Sequence, residues 1–307
     1  MSGLPGGGWP VARSRKGSLG VRERYSPALG AVDGWPVSRA AAGVITPDGA
    51  CTNGDTTHRF AWASVTKMLT AVAVLVAVEE GTVGLDEPAG PTGSTVRHLL
   101  SHASGLSPDE PSARPPLGEK DDRRRPPAPP GTRRIYSNRG FEILATVVAE
   151  RAGMAFGDYL AEGVLEPLGM AGVTLEGSPA WGAVGSVGDL VALGSELLCP
   201  RLLAAETIGE ATRVAFPGLA GVLPGFGRFD PNDWGLGFEI RGVKQPHWTG
   251  YHNSPETFGH FGQSGAFLWV DPVARLGCCG LADKPFGPWA KEAWPRLADT
   301  VLAARPD

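Results

Sequence analysis

Lysine, cysteine, methionine and tyrosine are all scarce in this chain of 307 residues, with six, four, four and four copies. Four cysteines at this length do not make a disulfide framework. Cys278 and Cys279, adjacent in an apolar segment, are expected to be small core residues. Charge is also sparse and nearly balanced, net −4. No run of Lys and Arg is interleaved with aromatics, so nucleic acid is not expected as a partner. The cluster Arg123, Arg124 and Arg125 lies among prolines beside Asp121 and Asp122 and reads as a solvated loop. Long apolar runs are missing too. The longest follows Lys67, from Met68 to Val78, well short of the ~20 residues needed to cross a bilayer. No membrane partner is expected. Arg13, Arg15 and Lys16 have no apolar stretch behind them, so the N-terminus does not read as a secretory signal and a cytoplasmic protein is expected. His247, His252 and His260 find no cysteine or carboxylate spacing that completes a zinc site. Neither a metal nor another cofactor is expected.

What is plentiful is glycine and proline, 44 and 28 residues, as befits many turns and irregular connections. Residues 1–20, rich in Gly, Ser and Arg, read as a flexible arm. Ala40 to Ile45 reads as a short strand before the turn signal Thr46-Pro47-Asp48-Gly49. Thr95 to His102 reads as a short amphipathic helix. Residues 107–133 hold eight prolines and charges of both signs; regular structure is excluded there, and a lid and a surface insertion are the two readings. Helices are expected over Arg139–Arg151, near Phe156–Leu165, from Val187, and from Trp289 to Ala304. Strands are expected over Trp234–Ile240, Ala266–Val270 and Leu276–Ala282. Strands thus flank a central block of helices, which predicts a sheet subdomain (about 21–63 and 234–307) around an inserted helical one (about 64–233), within a single domain over 21–307.

One lysine stands apart. Lys67 alone has a serine three residues before it, Ser64, and the stretch from Phe60 to Met68 is otherwise small and apolar. Residues three apart share a helix face. A serine hydroxyl becomes a nucleophile only when a base takes its proton, and a lysine serves only if burial or positive neighbours lower its pKa. The tetrad Ser64-Val65-Thr66-Lys67 therefore reads as an activated nucleophile; the bland alternative is a helix cap followed by a surface lysine.

Two further elements follow in order. Tyr136-Ser137-Asn138 opens a helix after Pro130-Gly131-Thr132, a rigid mount for a proton-relaying tyrosine and an amide. Tyr251-His252-Asn253 has the same pattern but lies in a loop, so Tyr136 is preferred. Gly259-His260-Phe261-Gly262-Gln263-Ser264-Gly265 precedes an apolar strand. Its glycines would let a substrate lie against backbone, with an N–H pairing with that of Ser64 as an oxyanion hole. A Gly-rich hairpin is the alternative.

On these residues the chain resembles the serine β-lactamase and D,D-peptidase superfamily, specifically the class C β-lactamase-related serine hydrolases, which include the family VIII esterases. RHLLSHASGL from Arg97 to Leu106 is similar to that group's RHLLTHTSGL. YSNRGFEIL from Tyr136 to Leu144 resembles its YSNxGYxLL. LEPLGM from Leu165, GSVGDL from Gly185 and GLGF from Gly235 fit further blocks, so the match runs in order over roughly residues 40–283. The resemblance implies an α+β, β-lactamase/transpeptidase-like fold: an antiparallel sheet flanked by helices, with the site between it and a helical subdomain. It implies that Ser64 is acylated, that Lys67 and Tyr136 form the base and proton relay, and that Asn138 orients the substrate. His260, Phe261 and Gly262 would stand where the group has Lys-Thr-Gly, and the N–H groups of Ser64 and Gln263 would form the oxyanion hole. His98 and His102 would be scaffold.

The third element departs from Lys-Thr-Gly. A histidine is largely neutral at pH 7 and Phe261 offers no hydroxyl, so carboxylate recognition should be weakened, with Phe261 as an apolar rim. The expected substrate is a small-molecule ester, amide or peptide, hydrolysed through acyl-Ser64. Acyl transfer to an amine or alcohol, weak β-lactamase or D,D-peptidase activity, and a non-catalytic binding protein are the alternatives. The sequence does not specify the oligomeric state.

Overall fold

Leu276–Ala282 is seven consecutive buried residues, and a strand with no exposed face must be covered on both sides. The computed structural model, which describes residues 19–107 and 128–306, shows what covers it. In chain order it begins with helix α1 (Val21–Leu29), then strands β1 (Ala40–Thr46), β2 (Gly49–Gly54) and β3 (Phe60–Ala61). Helices α2 (Thr66–Glu79), α3 (Val96–Leu100), α4 (Asn138–Ala152) and α5 (Phe156–Leu160) follow. Short strands β4 (Thr174–Leu175) and β5 (Ala183–Gly185) precede α6 (Val187–Leu198) and α7 (Ala205–Ala211). The rest is β6 (Gly221–Leu223), β7 (Gly227–Phe229), β8 (Glu239–Ile240), β9 (Phe258–Gly262), β10 (Ala266–Asp271), β11 (Leu276–Ala282) and α8 (Pro288–Ala303). The expected arm over 1–20, but for its last two residues, and most of segment 107–133 lie outside the described residues.

Six strands form one antiparallel sheet in the order β2-β1-β11-β10-β9-β8. Side chains alternate between its faces. Ala41, Ile45, Leu268, Val270, Cys279 and Leu281 join a core shared with the helical block. Ala42, Val44, Phe267, Trp269, Cys278 and Ala282 join a second core under α1 and α8. On the first face α6 packs on β1, β10 and β11. It sits close because Gly194 carries no side chain: a Cβ there would lie 2.4 Å from Ile45 Cδ1 and 3.0 Å from Leu268 Cδ1. A whole helix of the 64–233 stretch therefore belongs to the sheet layer.

Helix α2 is the axis of the helical block. Every residue from Thr66 to Ala77 is buried, as expected of a helix apolar on all sides. Among the described residues no helix is long and apolar enough to cross a membrane. One expected strand is shorter than the sequence suggested. The strand expected over Trp234–Ile240 is cut to β8 plus a bridge from Trp234 to Glu239, because Gly237 turns the chain with φ 95° and gives its N–H to Leu100 instead. The helix expected near Phe156–Leu165 spans that range, α-helical to Leu160 and then one π-helical turn to Leu165.

Candidate active site

Ser64 lies in a single 3-10 turn, Ala63–Val65, that leads into α2. Ala63 has φ 44°, a left-handed backbone that costs a Cβ-bearing residue roughly 1–2 kcal/mol. The surroundings hold it. Trp62 is buried; its N–H donates to Ala183 O at 2.9 Å and its Nε1 to Gly185 O at 3.2 Å. On the other side β9 runs directly against the turn. A Cβ on Gly262 would stand 2.3 Å from Trp62 O and 3.3 Å from the backbone nitrogen of Ser64, so only glycine permits this approach.

Lys67, one helical step after Ser64, is completely buried. Its Nζ donates to Ser64 Oγ at 3.4 Å, to Asn138 Oδ1 at 2.5 Å and to Ala180 O at 2.9 Å. Among the described residues, three oxygens thus face Lys67 Nζ. Ala180 belongs to a loop fastened at several points. Thr70 Oγ1 donates to Pro179 O at 2.6 Å, Ser178 Oγ to Glu142 Oε1 at 3.0 Å, and the Ala183 N–H to Thr66 Oγ1 at 3.0 Å.

Tyr136 reaches Ser64 from the start of α4. Its hydroxyl donates to Ser64 Oγ at 2.8 Å, and Lys67 Nζ lies 4.8 Å from the centre of its ring. Two residues earlier, Arg134 is buried and is held by carbonyls: Nε donates to Asn232 O at 3.1 Å, and its terminal nitrogens to Ser101, Ala215 and Phe216 O at 2.5, 2.7 and 3.2 Å. Burial pushes its pKa down to about 10, so the guanidinium stays charged at neutral pH. It ties the segment before Tyr136 to α3 and to the loops before β6 and β8. Asn138, the first residue of α4, turns its amide oxygen to Lys67.

His260 pairs with Leu268 across the sheet and faces the helical block. Its Nδ1 lies 2.7 Å from Phe261 O. A carbonyl only accepts, so the ring proton sits on Nδ1, and Nε2 is a bare acceptor 3.4 Å from the Tyr136 hydroxyl. Burial, reinforced by the Lys67 charge, pushes this imidazole down to about 3. It is neutral at physiological pH.

Phe261 requires a correction. Expected at the substrate rim, it pairs with Phe267 and points to the opposite face of the sheet. There it packs among Trp248, Phe286 and Trp294, with ring centres 5.7, 4.8 and 6.1 Å away. The two-residue period of the strand is the reason: once His260 faces Tyr136, Phe261 cannot. Gln263, just past β9, is exposed and its carbonyl accepts the Phe286 N–H at 2.9 Å. Ser64, Lys67, Tyr136, Asn138, His260 and the Gly262 backbone are brought together; the Phe261 side chain is not.

Tyr251 is 70% exposed, so of the two Tyr-x-Asn stretches only the one at Tyr136 meets Ser64. His247, His252 and His260 are held apart by different partners, Glu239 Oε2 at 3.0 Å, Asp299 Oδ1 at 3.1 Å and Phe261 O. Three participants had no sequence signal of their own: the carbonyl of Ala180, the buried Arg134, and Trp234, whose ring lies 5.4 Å from His260 and 5.9 Å from Tyr136.

The chain as a whole is similar to several known proteins. A crystal structure of a beta-lactamase from Mycobacterium bovis is 53% identical, with a TM-score of 0.82 over 90% of this chain and 98% of that one. EstCE1, described as a hydrolase with promiscuous acyltransferase activity, shares the fold at 19% identity, with a TM-score of 0.71 over 92% of this chain and 98% of its own. The D-alanyl-D-alanine-carboxypeptidase/endopeptidase AmpH of Escherichia coli is 29% identical over 141 residues, 38% of this chain. That match spans only 37% of AmpH. The family model for Beta-lactamase matches residues 28–302. Nearly the whole described chain falls within that match, and the chain belongs to the Beta-lactamase family of serine hydrolases.

Proposed function

We propose that the protein hydrolyses neutral esters or small neutral amides through an acyl-Ser64 intermediate. One observation carries the reading: Ser64 Oγ stands 2.8 Å from the Tyr136 hydroxyl and 3.4 Å from Lys67 Nζ, with Lys67 buried and aimed at oxygens. Lys67, with Ser64 Oγ, Asn138 Oδ1 and the Ala180 carbonyl around its Nζ, forms the base and proton relay together with Tyr136. Tyr136 takes the proton as Ser64 Oγ bonds to the substrate carbonyl carbon. The N–H groups of Ser64 and Gln263 hold the resulting oxyanion. The carbonyl carbon's bond to the leaving alcohol or amine breaks, and Tyr136 returns the proton to that leaving group. Water then attacks the acyl carbon, giving a proton to the same tyrosine; the bond from that carbon to Ser64 Oγ breaks, and Tyr136 returns the proton to Ser64 Oγ.

Neutral His260 supports the restriction to neutral substrates. The position offers an uncharged imidazole and no cation for a carboxylate. Phe261, turned into the second core, offers no hydroxyl. The acyltransferase description of EstCE1 supports a second reading, in which an amine or alcohol replaces water in the last step.

Intact-mass spectrometry tests both. The protein is exposed to short p-nitrophenyl esters, a D-alanyl peptide, a cephalosporin and a fluorophosphonate. The expected result is an acyl adduct from the esters that is absent in Ser64→Ala, with little from the anionic peptide and cephalosporin. Shortening of the adduct's lifetime by added amines, with an amide product, would favour transfer. No adduct from any probe would defeat the proposal.

A further inference from the structure

His102 holds both peptide N–H groups that flank Tyr136. Its carbonyl accepts the N–H of Ile135 at 2.8 Å, and its ring Nδ1 accepts the N–H of Ser137 at 3.2 Å. The ring itself lies on the Tyr136 ring, with centres 4.5 Å apart and planes inclined by 32°. Behind it stand Trp234, perpendicular at 4.6 Å, and Phe141 at 5.3 Å. His102 is 2% exposed and is anchored to α3 through its own N–H, which donates to Leu99 O at 3.2 Å.

Two features make this more than packing. The backbone of His102 has φ 56°, a left-handed conformation that a buried non-glycine residue keeps only where its surroundings fix it. That conformation lets one residue present its carbonyl and its ring to successive amides of the same segment. The second feature is the choice of side chain. With Nδ1 accepting, the ring proton is on Nε2, and Nε2 has no hydrogen-bond partner among the described residues. A phenyl ring would fill the same aromatic slot without burying that N–H. What histidine adds over phenylalanine is the Nδ1 acceptor, and its partner is the amide next to Tyr136.

We propose that His102 is the positioning residue for Tyr136: it fixes the phenol oxygen within reach of Ser64 by gripping the backbone on both sides of Tyr136 and stacking on its ring, without touching substrate. This rests on the proton-transfer role given to Tyr136 above. The role is narrower than scaffold, because it is directed at one side chain and acts on one step. A displacement of the order of 1 Å at a reacting group can cost about 10²-fold in rate, so the grip is felt in acylation before it is felt in binding.

The test is a comparison of His102→Phe, His102→Asn and His102→Gln, each alone and combined with Tyr136→Phe, by stopped-flow acylation with a p-nitrophenyl ester. Asparagine places an acceptor where Nδ1 stands; glutamine places one where Nε2 stands. The expected result is that His102→Phe and His102→Gln slow acylation by about 10²-fold with KM within about twofold, while His102→Asn recovers about tenfold of that loss. In the Tyr136→Phe background the His102 changes should cost less than about threefold, because the group they position is already disabled. If His102→Phe does not fold, the asparagine and glutamine pair decides the matter. Equal losses for Asn and Gln, a loss confined to KM, or losses that multiply in the double variants would overturn the proposal. If Tyr136→Phe alone acylates normally, the role of Tyr136 fails and the proposal falls with it. Multiplying losses beside a disabled Tyr136→Phe would remove the clamp alone.

Discussion

The Tyr136 phenol oxygen stands closer to Ser64 Oγ, at 2.8 Å, than does Lys67 Nζ, at 3.4 Å. The sequence alone treats tyrosine and lysine as one relay; in the structure the phenol is the nearer of the two. Tyr136→Phe removes the nearer proton carrier and should slow acylation by about 10²- to 10⁴-fold. Lys67→Ala removes the other half of the proposed base and proton relay and should cost a similar factor. Tyr251→Phe, at an exposed loop position, should leave the rate within about twofold. Stopped-flow acylation of the three variants checks this, and a larger loss in Tyr251→Phe would contradict the assignment.

Gly262 sets how close β9 comes to the nucleophile. Gly262→Ala places a methyl group 2.3 Å from Trp62 O, so the strand or the turn at Ala63 must move. We expect acylation to fall by about 10²-fold while the protein remains folded. Circular dichroism together with the acylation rate measures both; an unchanged rate would show that the approach of β9 is not needed.

Asn138 places its amide oxygen on a buried ammonium. Asn138→Leu takes that oxygen away and should destabilise the fold by about 1–3 kcal/mol as well as slow acylation. Asn138→Asp keeps an oxygen there and should be the milder change in stability. Urea unfolding of both variants would contradict this if Asn138→Leu were as stable as the parent.

Stability should fall on mild acidification. In the unfolded chain His260 takes a proton near its ordinary value of 6.5, but in the folded state only near 3. Between these values the unfolded state binds the extra proton, so the stabilisation is complete above about pH 6.5 and is lost progressively toward pH 3. His102 and His247, both pushed down by burial, act in the same direction. At the lower end, Glu239 is held at about 2 by His247 and Lys244 although burial opposes it. Its contribution is present above its ordinary value of 4.5 and fades as pH falls through 2. Urea midpoints at pH 7.5, 6, 5 and 4 should decline in order. A flat series from 7.5 to 4 would argue against neutral buried histidines.

The legible parts of this protein are those whose signal is local. Ser64 and Lys67 are three residues apart, across the turn that leads into α2, and the limits of β11 coincide with the apolar run from Leu276 to Ala282. Tyr136 and His260 are legible because each sits inside a short motif. The face on which Phe261 lies was not, because strand facing is set by pairing with β10 rather than by the identity of residue 261. The short extent of β8 depends on the Gly237 N–H preferring Leu100 O, a long-range choice with no local trace. Arg134 gave no sign of burial, since guanidinium groups are usually exposed and its partners are carbonyls rather than carboxylates.

The carbonyl of Ala180 on Lys67 has a consequence for how this site changes over generations. A carbonyl is common to every residue, so substitution at position 180 need not remove it, and alanine scanning would pass over it. What can remove it is a change in the length or path of the chain between Ser178 and Gly182. Insertions and deletions there should therefore be tolerated far less than substitutions that keep the path of the loop.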